Sequence, residues 1–204
     1  MERAPRAGTK LEMAAEARSY LELAAQFLRP RSCRLVAIGG LSGTGKSTLA
    51  AALAPSLGAR VLRSDVIRKR LFEVAPETPL PTSAYTAQVS RRVYQTLRRK
   101  ATEALAAGYS VIIDAVSLKP PERQSFVTVA KAAGVPFAGI WLEAPPATMD
   151  SRLRARRHDA SDASSEVLAH QLQQDPGTVE WVRIKAGGNP EGCLSAARRA
   201  LGLS

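Results

Sequence analysis

Eight residues with the types and order to hold a polyphosphate stand early in the chain: Gly40-Leu41-Ser42-Gly43-Thr44-Gly45-Lys46-Ser47, followed by Thr48. Glycines let a backbone wrap an anion so that its N–H groups point inward. The helix expected to follow presents its positive end to the same anion. A lysine in the seventh place reaches the β- and γ-phosphates, and a serine hydroxyl in the eighth ligates Mg²⁺. These residues therefore predict a nucleotide site built from Gly40, Ser42, Gly43, Thr44, Gly45, Lys46, Ser47 and Thr48. ATP is the expected nucleotide and Mg²⁺ the expected metal.

Further residues could decide where the phosphate goes. Asp65 comes 19 residues after Lys46, at the expected end of a second strand. An aspartate there could take the proton of an attacking hydroxyl; it could also belong to the metal shell or cap the helix "VIRKRL". Arg68 lies one helical turn on and could hold an acidic substrate or orient Asp65. Asp114 ends "VIIDA", four apolar residues and an acid, as in a Walker B strand. Its carboxylate would hold Mg²⁺ or contact the acceptor, so the proton acceptor is Asp65 or Asp114. Arg152, Arg154, Arg156 and Arg157 form the densest charge cluster. Arg152 and Arg156 share a helix face, and inward arginines on a closing lid would neutralise the transferring phosphoryl group. His158 and His170 have no metal-like spacing and no nucleophile partner, and are read as structural or surface residues.

These residues need elements to position them. "CRLVAIG" has strand length and runs into the glycine loop; a helix from Lys46 to Leu57 follows, closed by Gly58. "ARVLRSD", "YSVIIDA", "PFAGIWLEA" and "VEWVRIKAG" read as four more strands. Helices are expected between them: a short basic one, a long one from about 84 to 107, "KPPERQSFVTVAKAAG", an Arg-rich helix from 146, and one over 161–175 with Asp162 as its N-cap. "PEGCLSAARRAL" closes the chain. Alternating strands and helices predict an α/β, doubly wound, three-layer P-loop fold with a parallel sheet. The first ten residues read as disordered, and 11–28 as an amphipathic helix stopped by Pro30. The expected division is a tail and helix over 1–30 and a kinase domain over 31–204, with a lid at about 150–165.

The chain has 204 residues and a formal net charge of +11, a size that suits one sizeable core. A basic surface attracts nucleic acid or acidic substrates. Pairs such as Arg91-Arg92 and Arg98-Arg99 have no interleaved aromatics, so a solvated face is favoured over a nucleic-acid groove. No apolar run nears membrane-spanning length, and the first residues lack the apolar core of a secretory signal. Cys33 and Cys193 match no zinc or redox spacing. A cytoplasmic setting is the expectation.

Taken in order, "GLSGTGKSTLA", "VLRSDVIRKRL", "GYSVIIDA", "PPERQSF", "GVPFAGIWLEA", "SRLRARRHDASDAS" and "EWVRIKAGG" resemble the small P-loop kinases of the AAA_33 type. Members are often fused behind an aminoglycoside-phosphotransferase-like domain, which implies an N-terminal fusion-like partner. The wider clan holds polynucleotide 5′-kinases, gluconate kinases, chloramphenicol phosphotransferase and zeta toxins. The resemblance implies five parallel strands and a helical lid. In the polynucleotide kinases an Asp followed three residues later by Arg supplies the base and a substrate contact, a spacing matched by Asp65 and Arg68. Their lid pattern is similar to Arg152 and Arg156. "DAVSLKPPER" lacks the asparagine of their acceptor segment, which weakens the case for a nucleic-acid acceptor. The leading expectation is an ATP-dependent phosphotransferase acting on a hydroxyl of a small molecule. The alternatives are a polynucleotide 5′-hydroxyl kinase and a slow nucleotide-dependent switch that binds a partner. "KAGGNP", residues 185–190, is a candidate wall for the adenine.

Overall fold

The computed structural model describes residues 7–28, 33–155 and 159–203. The chain divides into two compact units, Met1–Arg31 and Ser32–Ser204. The first contains a single described helix, α1 (Ala7–Leu28). This helix starts earlier than expected: residues 7–10 join it rather than a disordered tail, because nothing in Ala-Gly-Thr-Lys forbids helical dihedrals.

The second unit is built on five strands: β1 (Leu35–Gly39), β2 (Ala59–Arg63), β3 (Ser110–Asp114), β4 (Phe137–Glu143) and β5 (Val182–Lys185). Their spatial order is β2-β3-β1-β4-β5, and every pairing is parallel. Parallel neighbours require crossovers. These are supplied by α2 (Lys46–Leu57), α3 (Ser64–Leu71), α4 (Ala87–Ala106), α5 (Pro120–Ala132), α6 (Pro146–Ala155) and α7 (Ser165–Leu172), with α8 (Pro190–Ala200) after β5.

Strand alternation sorts the core onto the two faces of the sheet. Leu35 and Ala37 of β1, with Val111 and Ile113 of β3, pack against Val93, Leu97 and Ala101 of α4 and Phe126 of α5. Val36 and Ile38, with Ile112, Ile140 and Ile184, pack against Leu49 and Leu53 of α2 and Cys193 and Ala197 of α8. The buried central strands are apolar on both faces, as "LVAI" and "SVII" require. Phe137 and Trp181 stand with ring centroids 6.0 Å apart, and Trp181 lies flat on Gly139, where an added Cβ would sit 2.3 Å from the indole.

Helix ends follow local chemistry. Thr86 Oγ1 caps α4 by accepting from Val89 N at 3.3 Å, and Asn189 Oδ1 caps α8 by accepting from Gly192 N at 3.0 Å. Two expected boundaries move. The strand "ARVLRSD" stops at Arg63, so Asp65 belongs to the first turn of α3. The cap of α7 is Ser164, whose Oγ accepts from Val167 N at 3.4 Å, not Asp162; the helix begins later because Asp162 is engaged by a buried lysine. Residues 73–86 form an extended loop with one 3₁₀ turn over Thr82–Tyr85.

Candidate active site

The sheet order determines what meets at its carboxyl edge. β1 lies at the centre, flanked by β3 and β4, and the glycine loop leaves its end; ligands of open α/β sheets bind in such a crevice. Ile38, Asp114 and Arg63 stand level across β1, β3 and β2, which puts the end of each strand at one cleft.

The loop itself is held by close packing. Gly40 has φ +129° and Gly43 φ +83°, a region that side chains rarely enter. A Cβ on Gly40 would lie 2.5 Å from Leu142 O, and one on Gly43 2.5 Å from Met149 O. The loop thus rests directly on β4 and α6. Thr44 Oγ1 donates to Leu41 O at 2.8 Å, bracing the turn from within. Lys46 Nζ donates to the same carbonyl at 2.8 Å. Gln171 of α7 reaches the loop and accepts from Ser42 N at 2.9 Å.

Below the loop, Ser47 Oγ donates to Asp114 Oδ2 at 2.6 Å. Asp114 is 4% exposed. Its Oδ2 also lies 3.2 Å from Arg63 Nε, and Arg63 Nη2 donates to Asp159 Oδ1 at 2.6 Å. Arg63 therefore joins the end of β2 to the end of β3 and to the segment that leads into α7. Two hard oxygen donors side by side suit Mg²⁺, which takes one or two protein oxygens and completes its shell with phosphate and water. Among the described residues no group of three His, Cys, Asp or Glu side chains could hold a metal unaided.

Asp65 is partly buried in the same cleft. Desolvation pushes its carboxyl above the ordinary value, and the nearby Asp114 charge pushes it the same way. A hydrogen bond from Ser161, with Lys46 and Arg68, pulls against that rise. A carboxyl raised in this way holds a proton more readily than an aspartate free in water.

Arg68 is 8% exposed; its Nη1 donates to Ala84 O at 2.7 Å, and its guanidinium lies 4.8 Å from the Tyr85 ring centroid. Its neighbour Lys69 is 1% exposed and donates to both oxygens of Asp162, at 2.6 and 2.7 Å, and to Thr78 O. Asp162 also accepts from Leu80 N at 3.0 Å and Tyr85 Oη at 2.6 Å. Burial alone would raise its carboxyl, but these hydrogen bonds outweigh it and hold it below the ordinary range.

One cleft of about 1430 Å³ collects Ser42, Gly43, Gly45, Lys46, Ser47, Thr48, Asp65, Arg68, Asp114 and Arg152. A second hollow of about 320 Å³ shares Gly45, Thr48 and Arg152 with it and is lined as well by Thr44, Ala186, Asn189 and Pro190. Gly40 lines neither and serves the turn. Arg152 Nη1 donates to Ala186 O at 2.8 Å and Nη2 to Gly188 O at 3.2 Å, which fixes the loop after β5 beside the glycine loop. Arg154 points away and pairs with Asp150 at 2.9 Å. Arg156, Arg157 and His158 lie outside the described residues. His170 is exposed and its Nδ1 contacts Gln174 Nε2 at 2.9 Å.

Sequence reasoning missed Arg63, Ser161, Gln171 and Arg123. Arg123 is 4% exposed and donates to four carbonyls, those of Ser117, Leu118, Pro176 and Thr178, at 2.6–3.0 Å. It shapes the loop after β3 by tying it to the segment before β5. No sequence signal marks these roles, because each depends on a partner more than 50 residues away or on a backbone carbonyl.

The AAA_33 family model, described as an AAA domain, matches residues 35–175. Among curated proteins, Rv2004c of Mycobacterium tuberculosis and Mb2027c of Mycobacterium bovis, both uncharacterized, are each 35% identical over 192 residues. The match covers 92% of this chain and 39% of each relative, so the chain spans about two fifths of their length. Among solved structures, a gluconokinase from Sinorhizobium meliloti superposes with a TM-score of 0.61 at 21% identity, covering 85% of this chain and 94% of that one. The Mycobacterium tuberculosis APS kinase CysC in complex with AMPPNP and APS gives 0.61 at 20% identity, covering 85% and 99%. These likenesses, with the five-stranded parallel sheet, give the P-loop kinase fold. With its glycine loop, both acids and α6 inside the matched span, the chain belongs to the AAA_33 family.

Proposed function

We propose that the protein is an ATP-dependent phosphotransferase that moves the γ-phosphate to a hydroxyl of a small molecule. The observation that carries this reading is the convergence, in one cleft, of the glycine loop with Lys46 and Ser47 and of two carboxylates, Asp65 and Asp114, from separate elements. A cleft of about 1430 Å³ exceeds the roughly 300–1,000 Å³ that one small ligand fills, and leaves room for an acceptor beside the nucleotide. The fold's likeness to a gluconokinase and an APS kinase supports the same reading.

The loop amides and Lys46 hold the β- and γ-phosphates. The adenine takes the hollow walled by Ala186, Asn189 and Pro190. Ser47 and Asp114 would hold Mg²⁺, which neutralises phosphate charge when bound. Asp65 accepts the proton of the attacking hydroxyl. Arg152, beside Gly45, steadies the nucleotide's charge at the boundary between cleft and hollow. Arg68 lies one turn from Asp65 on the acceptor side.

The test is transfer of label from γ-labelled ATP to a panel of hydroxyl compounds that includes a 5′-hydroxyl oligonucleotide. Transfer to a small molecule, lost in Asp65→Asn, is expected. Release of inorganic phosphate alone, equal in wild type and Asp65→Asn, would point to a nucleotide switch. Transfer to the oligonucleotide alone would make the acceptor a nucleic acid.

A further inference from the structure

We propose that the acceptor carries an oxyanion, a phosphate or carboxylate group, bound by the wall of the cleft formed by α4 and the loop after β3. This rests on the kinase reading above and names the class of its second substrate.

Several charges lining the cleft are already matched. Asp114 receives Ser47 and stands beside Arg63; Asp159 receives Arg63; Asp162 receives Lys69; Glu122 accepts from the Lys119 backbone N at 3.2 Å. Asp65 has Ser161, with Lys46 and Arg68 near it. Asp114, Asp159 and Asp162 are thus ion-paired; among the described residues Glu122 and Glu166 are not. On the wall formed by α4 and the loop after β3, cations outnumber acids. Arg91, Arg98 and Lys119 line the cleft and, among the described residues, make no ion pair through their side chains. Arg91, Gln95 and Arg98 follow the i, i+4, i+7 spacing, so they share one face of α4, and all three line the cleft. Arg99, one residue on, instead pairs with Glu103 at 2.5 Å outside it.

Arg68 adds a built element. It is 8% exposed, lines the cleft, and uses Nη1 on Ala84 O, while its buried Nε has no partner. A buried guanidinium N–H left unmatched is costly; shut off from solvent as the side chain lies, it meets an anion only if Arg68 turns toward the cleft. Guanidinium groups bind phosphate and carboxylate through paired N–H bonds. Such an anchor would hold the acceptor by a group that does not react, while its hydroxyl faces Asp65.

The experiment measures binding, so it is independent of turnover. Protein saturated with Mg²⁺ and AMPPNP is titrated calorimetrically with glycerol, glycerate and glycerol 3-phosphate at low and high salt. The two anions are expected to bind at least about tenfold more tightly than glycerol, the effect of one charge-assisted contact, and to weaken with salt. Glycerate against glycerol 3-phosphate distinguishes carboxylate from phosphate. Arg91→Gln/Arg98→Gln, at exposed and half-buried helix positions, should cancel the anion preference and leave AMPPNP affinity unchanged. The proposal is overturned if anions bind only when the glycine loop is empty, if glycerol binds as well as they do, or if the double variant retains the preference. Absence of phosphoryl transfer to every acceptor, with anion binding intact, would remove the kinase reading and leave the anion site standing.

Discussion

At the residue scale, the proposed chemistry turns on Asp65. Desolvation and the Asp114 charge disfavour its ionised form in the folded protein. A base must be ionised to accept a proton, so the acid limb of kcat/KM should fall at a pH above the ordinary aspartate value. Groups facing it bear on this: Lys46 and Arg68 lower its value, and Asp114 raises it. The sign for stability is the reverse of a salt-bridged acid. Asp65 is favoured protonated in the fold, so its contribution is lost as pH rises through its raised value. Asp65→Asn should lower kcat by about 10²–10⁴-fold, abolish that limb in a pH–rate profile, and leave nucleotide affinity nearly unchanged. An unaltered acid limb in the variant would assign the limb, and the base, elsewhere.

At the element scale, two contacts decide whether the site is assembled. The first is the latch of Lys69 on α3 with Asp162, which gathers α3, the Leu80 and Tyr85 loop, and the segment leading to α7. Asp162→Ala leaves a buried ammonium uncompensated, and should cost about 3–5 kcal/mol in denaturant unfolding. The wild-type contribution is complete above the ordinary aspartate value and is lost as pH falls through the depressed one. A variant with wild-type stability at neutral pH would show that the pair does not tie these elements together. The second contact is the glycine loop on α6. Gly43→Ala combines a positive φ with a Cβ 2.5 Å from Met149 O, and strain of this kind costs about 1–3 kcal/mol. The expected result, by melting temperature and AMPPNP titration, is a less stable protein whose nucleotide affinity falls at least about tenfold.

At the scale of the whole molecule, the second unit holds two apolar layers and a separate small cluster of Met149, Leu153 and Leu168 joining α6 to α7. The α6–α7 pair has the smallest core, so its local stability should be lowest. Nucleotide that bridges the glycine loop and Arg152 would stabilise the folded state by mass action, about 2.7 kcal/mol at a hundredfold excess over Kd. Mg²⁺ with AMPPNP should therefore raise the melting temperature, and hydrogen exchange should slow first in α6 and α7. Protection confined to the glycine loop would show that the pair does not close on the nucleotide. Among the described residues, no helix is long and apolar enough to cross a membrane.

Much of this was legible in the linear chain. The glycine loop needs a fixed spacing of glycines, lysine and serine, and the apolar strands and their crossovers leave few topologies. The line of acids after β2 and β3 followed from one rule, that strand ends in a parallel sheet share an edge. The boundary at Arg63, which moved Asp65 into a helix, and the exchange of Asp162 for Ser164 as a cap were not legible. Both depend on which of several competent groups a distant partner claims, and Lys69 claims Asp162 across 93 positions. The same holds for the proposed acceptor wall. Arg91 and Arg98 read in sequence as a solvated face; that they line a cleft holding Asp65 follows only when α4 is laid against β3. The sequence alone determined the donor half, because phosphate is held by consecutive backbone amides. Only the tertiary structure bears on the proposed acceptor half, because its groups come from α3, α4 and the loop after β3, and packing alone brings them to one cleft.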